Sequence, residues 1–296
     1  MSNRVTQNML NQNFLFNLNK TNQSMEKYQN QFATGKLINK PSDDPVLAVR
    51  SMYYRSSLND IGQYKKNADD GLSWLNASDD ALGEVNSVLQ RVRELTVEGL
   101  NGTNDKSALD AITAEINQLK EHLGEIANTQ MAGRYIFAGT DVKNPPYQKD
   151  TGDFKGNSES LEVSLGQTNS VQINVSGQDI FNNPKIGSIF SVLTNIADGL
   201  SGADGSGSDD YLSQLDAQID NVLEQRAELG ARMNRMELSV SRIDDLELST
   251  TTLLSNTEDA DLSKVIIDLK SQENVQRAAL AVGARIIQPS LVDFLR

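Results

Sequence analysis

The chain has 296 residues, 38% of them hydrophobic, a formal net charge of -13 and no cysteine. The acidic balance leaves no surplus of Lys and Arg to displace counterions from phosphates, so nucleic acid and anionic membranes are not expected partners. Without cysteine there is neither a disulfide nor a thiolate metal site, and the low apolar fraction fits an extended molecule better than one compact core.

The opening MSNRVTQNML lacks the apolar stretch of a secretory signal peptide, so classical secretion is not expected. No run approaches the roughly 18 apolar residues of a membrane span. The series Leu10, Phe14, Leu18, Thr21, Met25, Tyr28, Phe32 keeps nearly heptad spacing among Asn, Gln and Lys, which predicts a helix with a narrow apolar stripe. A second helical run uses Leu72, Leu75, Leu82, Val85, Leu89, Val92 and Leu95, and a third uses Leu109, Ile112, Ile116, Leu119, Leu123 and Ile126. From Arg134 to Phe181 the texture changes: RYIFAG, LEVSL, VQINV and QDIF read as strands between Gly, Asn, Pro and Ser clusters. Alternation at Val171, Ile173 and Val175 predicts one buried face of a small sheet. The Gly/Ser/Asp linker DGLSGADGSGSDD follows. Then Leu212, Leu215, Ile219, Val222, Leu229, Met233, Met236, Val240 and Ile243 share one seam that Arg226 interrupts. A helix from Tyr211 to Leu254 would be roughly 65 Å long at about 1.5 Å per residue. A last helix runs from Leu262 towards Ile287.

The expected fold is mainly α: a long antiparallel helical rod or coiled coil made by the N- and C-terminal segments, with a small inserted β-rich domain. The expected domains are 1–40 with 257–296 as a terminal coiled coil, 41–138 with 186–256 as a helical rod, and 139–185 as an outward insert whose removal leaves the helices folded. Leu262, Ile266 and Leu269 define one apolar line on the last helix, and Val275, Ala279, Val282 and Ile286 another, with Leu280, Ile287 and Leu291 beside it. One neighbouring helix cannot cover both lines, so other chains must, which makes this an assembly subunit. The expected assembly residues are Leu10, Phe14, Leu18, Met25, Phe32, Leu262, Ile266, Leu269, Leu280, Ile287, Leu291 and Phe294. The Asn- and Gln-rich first helix should pair only marginally in the monomer, fraying before about Ile38 and after about Thr257.

Three stretches carry a resemblance. QFATGKLINKPSDDPV, QRVRELTVEGLNGTN and the block DADLSKVIIDLKSQENVQRAALAVGARIIQPSLVDFLR resemble bacterial flagellins and their hook-associated relatives, at both ends of the chain and not over the β insert. Within that family, Pro41 and Pro45 bracketing Asp43 and Asp44, and GRYIFAGT from Gly133 to Thr140, resemble members at the junction of hook and filament. The resemblance implies a short ring of subunits. Its partners would be neighbouring copies, the first hook-associated junction protein, flagellin and an export chaperone. It also implies an extracellular place in the flagellum, reached through the flagellar secretion apparatus without a cleaved signal peptide. A flagellin filament subunit is the alternative, and an adhesion or binding module on a helical stalk a third reading that the aromatic-poor insert weakens.

Chemistry offers little else. Gly35, Pro41, Asp43, Asp44 and Pro45 read as a helix end, a loop and the next helix start, with Ser42 or Asp43 as N-cap, rather than as acid–base or cation ligands. His122, the sole histidine, sits between Glu121 and Glu125 on a helix face and lacks a second imidazole for a metal. Arg91, Arg93 and Glu94 form either a subunit contact or an exposed charge pair; in flagellins this region also meets an innate immune receptor. Arg226 is expected to extend its charge to water, and Trp74 to pack in a core. No nucleophile–base pair and no phosphate loop is legible, so neither an enzyme nor a cofactor is expected.

Overall fold

The computed structural model describes residues 7–101, 104–149, 152–201 and 208–286. Helices dominate: α1 (Gln7–Thr34), α2 (Pro45–Gly99), α3 (Lys106–Ala127), α4 (Gly177–Phe181), α5 (Ile189–Ser201), α6 (Ser208–Glu258) and α7 (Leu262–Ile286). Among the described residues eight short strands form four separate antiparallel pairs: β1 (Gln130–Met131) with β2 (Arg134–Tyr135), β3 (Tyr147–Gln148) with β4 (Asp153–Phe154), β5 (Glu162–Ser164) with β6 (Ser170–Gln172), and β7 (Asn182–Asn183) with β8 (Gly187–Ser188). The residues divide into two units, one made of those up to Asp60 with those from Glu247, the other Ile61–Leu246. The sequence placed the terminal boundary at 40/41 and 256/257. The structural division lies deeper because the first turns of α2 and the last of α6 are tied to the loop that follows α1.

In the first unit α1 and α7 run antiparallel. Gln276 Nε2 donates to Asn22 Oδ1 (2.8 Å), and the Phe14 ring lies where a Cβ on Gly283 would be, so the glycine permits the close approach. Gly35, at φ +69°, ends α1 in the left-handed conformation that a C-terminal glycine adopts without steric cost. Lys36 then pairs with Asp259 in an isolated antiparallel bridge.

The second unit holds the core. Leu75, Leu82, Leu89 and Leu95 of α2, Ile116 and Leu123 of α3, Ile189 and Leu193 of α5 and Leu215, Val222 and Met236 of α6 are buried together. The same cluster contains Phe137, Tyr147, Phe154, Val171, Ile173, Val175 and Phe181. Phe181 is its aromatic centre, with ring centroids at 5.3 Å from Phe137, 5.2 Å from Phe154 and 6.0 Å from Phe190, and Phe190 stacks on Tyr147 at 4.3 Å. Residues 139–185 therefore have no core of their own; they share the one that the helices use.

Three local expectations change. QDIF is helix α4, not a strand: Ser176 caps it by accepting from Asp179 N–H (3.3 Å), and that cap outweighs the β preference of Ile180 and Phe181. RYIFAG pairs only through Arg134 and Tyr135, after a two-residue turn with Ala132 and Gly133 at φ 49° and 76°. In place of one small sheet there are separate hairpins, and Asn side chains bond the backbone at two of them. Asn128 Oδ1 accepts from Tyr147 N–H (2.9 Å) and its Nδ2 donates to Tyr147 C=O (2.9 Å). Fully buried Asn174 likewise accepts from Leu161 N–H (2.7 Å) and donates to Glu159 C=O (2.8 Å). Of the Gly/Ser/Asp linker, residues 198–201 close α5 and 208–210 open α6; 202–207 lie outside the described residues.

Candidate functional site

Apolar surface is distributed very unevenly. Of the 22 large hydrophobic side chains that are exposed among the described residues, 18 belong to the first unit, while its buried hydrophobics are only Ala48 and Val265. A helical surface that has little core and still carries such residues is a candidate interaction surface. Leu10, Phe32, Leu262, Ile266 and Leu280 lie between 43% and 52% exposed, although α1 and α7 already pack on one another. Phe14, Leu18, Met25 and Leu269 are half-buried. A second stripe, Val46, Val49, Met52 and Tyr53 on the outer side of α2, is 67% to 69% exposed; it escaped the sequence reading because no heptad run announces it. Ile287, Leu291 and Phe294 lie outside the described residues.

The loop between α1 and α2 is held by carboxylates. Asp43 Oδ2 accepts from the backbone N–H of Asn39 (3.1 Å) and Lys40 (2.9 Å), and the Lys40 bond chiefly holds its carboxyl below the ordinary value. The N-cap of α2 is Asp44, not Ser42 or Asp43: its Oδ1 accepts from Val46 and Leu47 N–H, both at 3.0 Å. Pro45 is the first helical residue, where its missing N–H costs nothing, and Pro41 is exposed in the loop. With both carboxylates engaged in these bonds, Asp43 and Asp44 act as a fastening for the backbone.

The sequence reading missed the centre of this arrangement. Glu258, the last residue of α6, is 3% exposed, and its carboxylate accepts from Ser51 Oγ (2.9 Å) and Arg55 Nε (3.0 Å) and pairs with Arg55 Nη2 and Lys36 Nζ. Burial pushes its carboxyl up, but the bonds from Arg55, Lys36 and Ser51 outweigh it and hold the pKa at about 2. Backbone bonds flank the ion cluster: Leu37 N–H donates to Glu258 C=O (2.6 Å) and Ala260 N–H to Gly35 C=O (2.9 Å). Gln31, 3% exposed, donates to Leu37 C=O (2.7 Å), and Asp261 caps α7 through Ser263 and Lys264 N–H. A legible signal existed. A carboxylate at a helix C-terminus opposes the helix dipole, so Glu258 at the end of α6 calls for cationic partners.

The remaining candidates lie in the second unit. Arg91 bonds Glu94 (3.0 Å) and Glu115 of α3 (2.9 Å), and Arg93 grips Asp216 of α6 at 2.7 and 3.4 Å. Both guanidiniums thus hold helices of their own chain together. Arg226 does not run out to water; it makes a two-pronged pair with Asp79, both bonds at 2.9 Å. His122 is half-exposed beside Glu84 (3.0 Å), and no group of three or more potential metal ligands occurs among the described residues. Trp74 is buried in the core.

Comparison with known proteins agrees with this geometry. Two family models match, the bacterial flagellin N-terminal helical region over residues 5–141 and the bacterial flagellin C-terminal helical region over residues 212–295. A flagellin of Bacillus subtilis (strain 168) is 29% identical over 300 residues, covering 96% of each chain. The flagellar hook-associated protein 3 of Escherichia coli (strain K12) is 27% identical over 276 residues, 86% of this chain and 87% of that one. Among solved structures, the flagellar junction protein FlgL of Legionella pneumophila superposes with a TM-score of 0.59 at 15% identity, over 70% of this chain and all of the other, a likeness of fold.

Proposed function

The chain belongs to the flagellin family, and we propose that in a bacterial flagellum it is the subunit that joins hook to filament, the role of a hook-associated protein 3. The observation that carries an assembly role is the uneven apolar surface: the first unit has almost no interior of its own and exposes Leu10, Phe32, Val46, Val49, Met52, Leu262, Ile266 and Leu280. The junction role is supported by the Pro41–Pro45 bracket, which stiffens the entry to α2, and by the fold shared with a protein called a flagellar junction protein. The role is structural, without catalysis. Its partners on this reading are copies of itself, the preceding hook-associated protein, flagellin and a cytoplasmic export chaperone, with delivery through the flagellar export channel. Arg91, Arg93 and Glu94, already tied within the chain, would present their outer edges to a neighbouring copy.

A filament subunit is the competing reading, favoured by the 29% identity to a flagellin across nearly the whole of both chains. Polymerisation separates the two. Added to isolated hooks, a junction subunit forms a short layer that stops, and flagellin then grows from it. Long filaments of this chain alone would overturn the junction assignment.

A further inference from the structure

The α1–α7 pair joins the rest of its unit through two chain crossings, Gly35–Leu37 and Asp259–Asp261, which lie side by side and are stitched by the Leu37–Glu258 and Ala260–Gly35 backbone bonds. The partners of the Glu258 carboxylate come from the loop (Lys36) and from α2 (Ser51, Arg55), and the carboxylate itself from α6. Neither α1 nor α7 supplies any of them. Opening the terminal pair therefore removes no donor from the cluster; in the last turn of α1, Gln31 donates to Leu37 C=O and Thr34 Oγ1 accepts from Lys36 N–H. Among the described residues beyond that point, α7 buries only Val265 and Gly283, and α1 buries no apolar side chain.

We propose that the Glu258 cluster is a stop for local unfolding: it keeps residues 35–44 and 259–261 stitched while α1 and α7 open and close, so that the terminal helices can separate to meet partners without unravelling α2 or α6. A buried carboxylate with three donors suits this task better than apolar packing does. It stays satisfied whether or not the neighbouring pair is formed, and losing its charge leaves Lys36 and Arg55 facing each other without a counter-ion. Local opening spreads through cooperative segments until it meets one of higher stability, and the cluster supplies such a segment at the base of a pair that has little core.

Amide hydrogen exchange on the full chain tests this with wild type, Glu258→Gln and Arg55→Met. In wild type, Leu37 and Ala260 amides should exchange at least about tenfold more slowly than those of residues 10–28 and 266–284. In Glu258→Gln the two amides should rise to the rate of α1, and fast exchange should reach the first turns of α2, while α3 and α5 keep wild-type protection. Arg55→Met, which leaves Lys36 and Ser51 on the carboxylate, should fall between; it also carries the test should Glu258→Gln not fold. Wild-type Leu37 and Ala260 amides that exchange together with α1, or variants that leave both at the wild-type rate, overturn the proposal.

Discussion

The two units solve the problem of holding helices together in opposite ways. In Ile61–Leu246 each helix finds several others, and the loops return aromatic residues to the same interior, so that Leu75, Leu89, Phe137 and Phe181 are fully buried. In the first unit the apolar residues of α1, α7 and the start of α2 outnumber the surfaces available to cover them, and the contacts within the chain are largely polar. Hydrophobic burial is worth about 25 cal/mol per Å² only when water is actually removed. One unit has collected that energy within the chain, and the other leaves many of its apolar side chains exposed. Where apolar burial is small, this unit ties the loop after α1 to α2 and α6 through the Glu258 carboxylate and its donors Lys36, Ser51 and Arg55.

The contrast breaks most visibly at Phe181. Phe181→Ala removes the ring on which Phe137, Phe154 and Phe190 converge and should cost about 3–5 kcal/mol, read as a lower urea midpoint with an unchanged slope. Because 139–185 shares its core with α3 and α5, deleting that segment should also abolish cooperative melting and lower the helical circular dichroism. A variant lacking 139–185 that still melts cooperatively would show the insert to be the separable appendage that its Gly- and Pro-rich borders suggest.

Acid should act on the other unit. Glu258 titrates at about 2 in the folded chain against 4.5 when unperturbed. Its pKa is depressed, so the stabilisation is fully present above about 4.5, declines as pH falls below that, and is gone below about 2. The half-exposed Lys36 and Arg55 are screened by solvent, which brings the contribution to about 2 kcal/mol. Between pH 5 and 2.5, wild type should lose protection at Leu37 and Ala260 to an extent that Glu258→Gln does not. An equal loss in both would assign the acid sensitivity to other carboxylates.

Much of this division could be read from the chain. The 3.6-residue periodicity gave α3, α6 and α7 nearly to their ends, because a long apolar stripe at helical spacing has little competition. What escaped was set by contacts distant in sequence. Glu258 looks like one acid among forty until Lys36 and Arg55 are placed beside it. Arg226 looks like an interruption of a seam until Asp79, 147 positions away, is found to take it. QDIF departs from expectation for a local reason: the Ser176 cap is a short-range helix signal that the β-like Ile180 and Phe181 mask. The exposed apolar stripe was legible where it was helical and repeated, at Leu10 to Phe32. It was invisible at Val46 to Tyr53, where the inner side of α2 is occupied by Ala48, Ser51 and Arg55 rather than by a run of leucines.

The smallest expected change in stability bears most directly on function. Leu280 is 52% exposed on α7, so Leu280→Asp places its charge largely in water and should shift the unfolding free energy of the isolated chain by no more than about 0.5 kcal/mol, against the several kcal/mol expected at Phe181. Assembly reverses the account. If a neighbouring copy covers that position, the aspartate is buried without a cation at a cost of several kcal/mol per contact, repeated around the ring. Export of the variant should then be normal, its melting curve should overlay wild type, and hooks should fail to retain filaments. Leu18→Asp, half-buried on α1, should repeat the result with a slightly larger loss in the monomer. Filaments that attach as in wild type would remove α7 from the assembly surface and leave the α2 stripe at Val46, Val49, Met52 and Tyr53 as the face that neighbouring subunits use. A variant retained inside the cell would instead tie Leu280 to chaperone or export recognition, and the stripe on α7 would then serve the journey before it serves the ring.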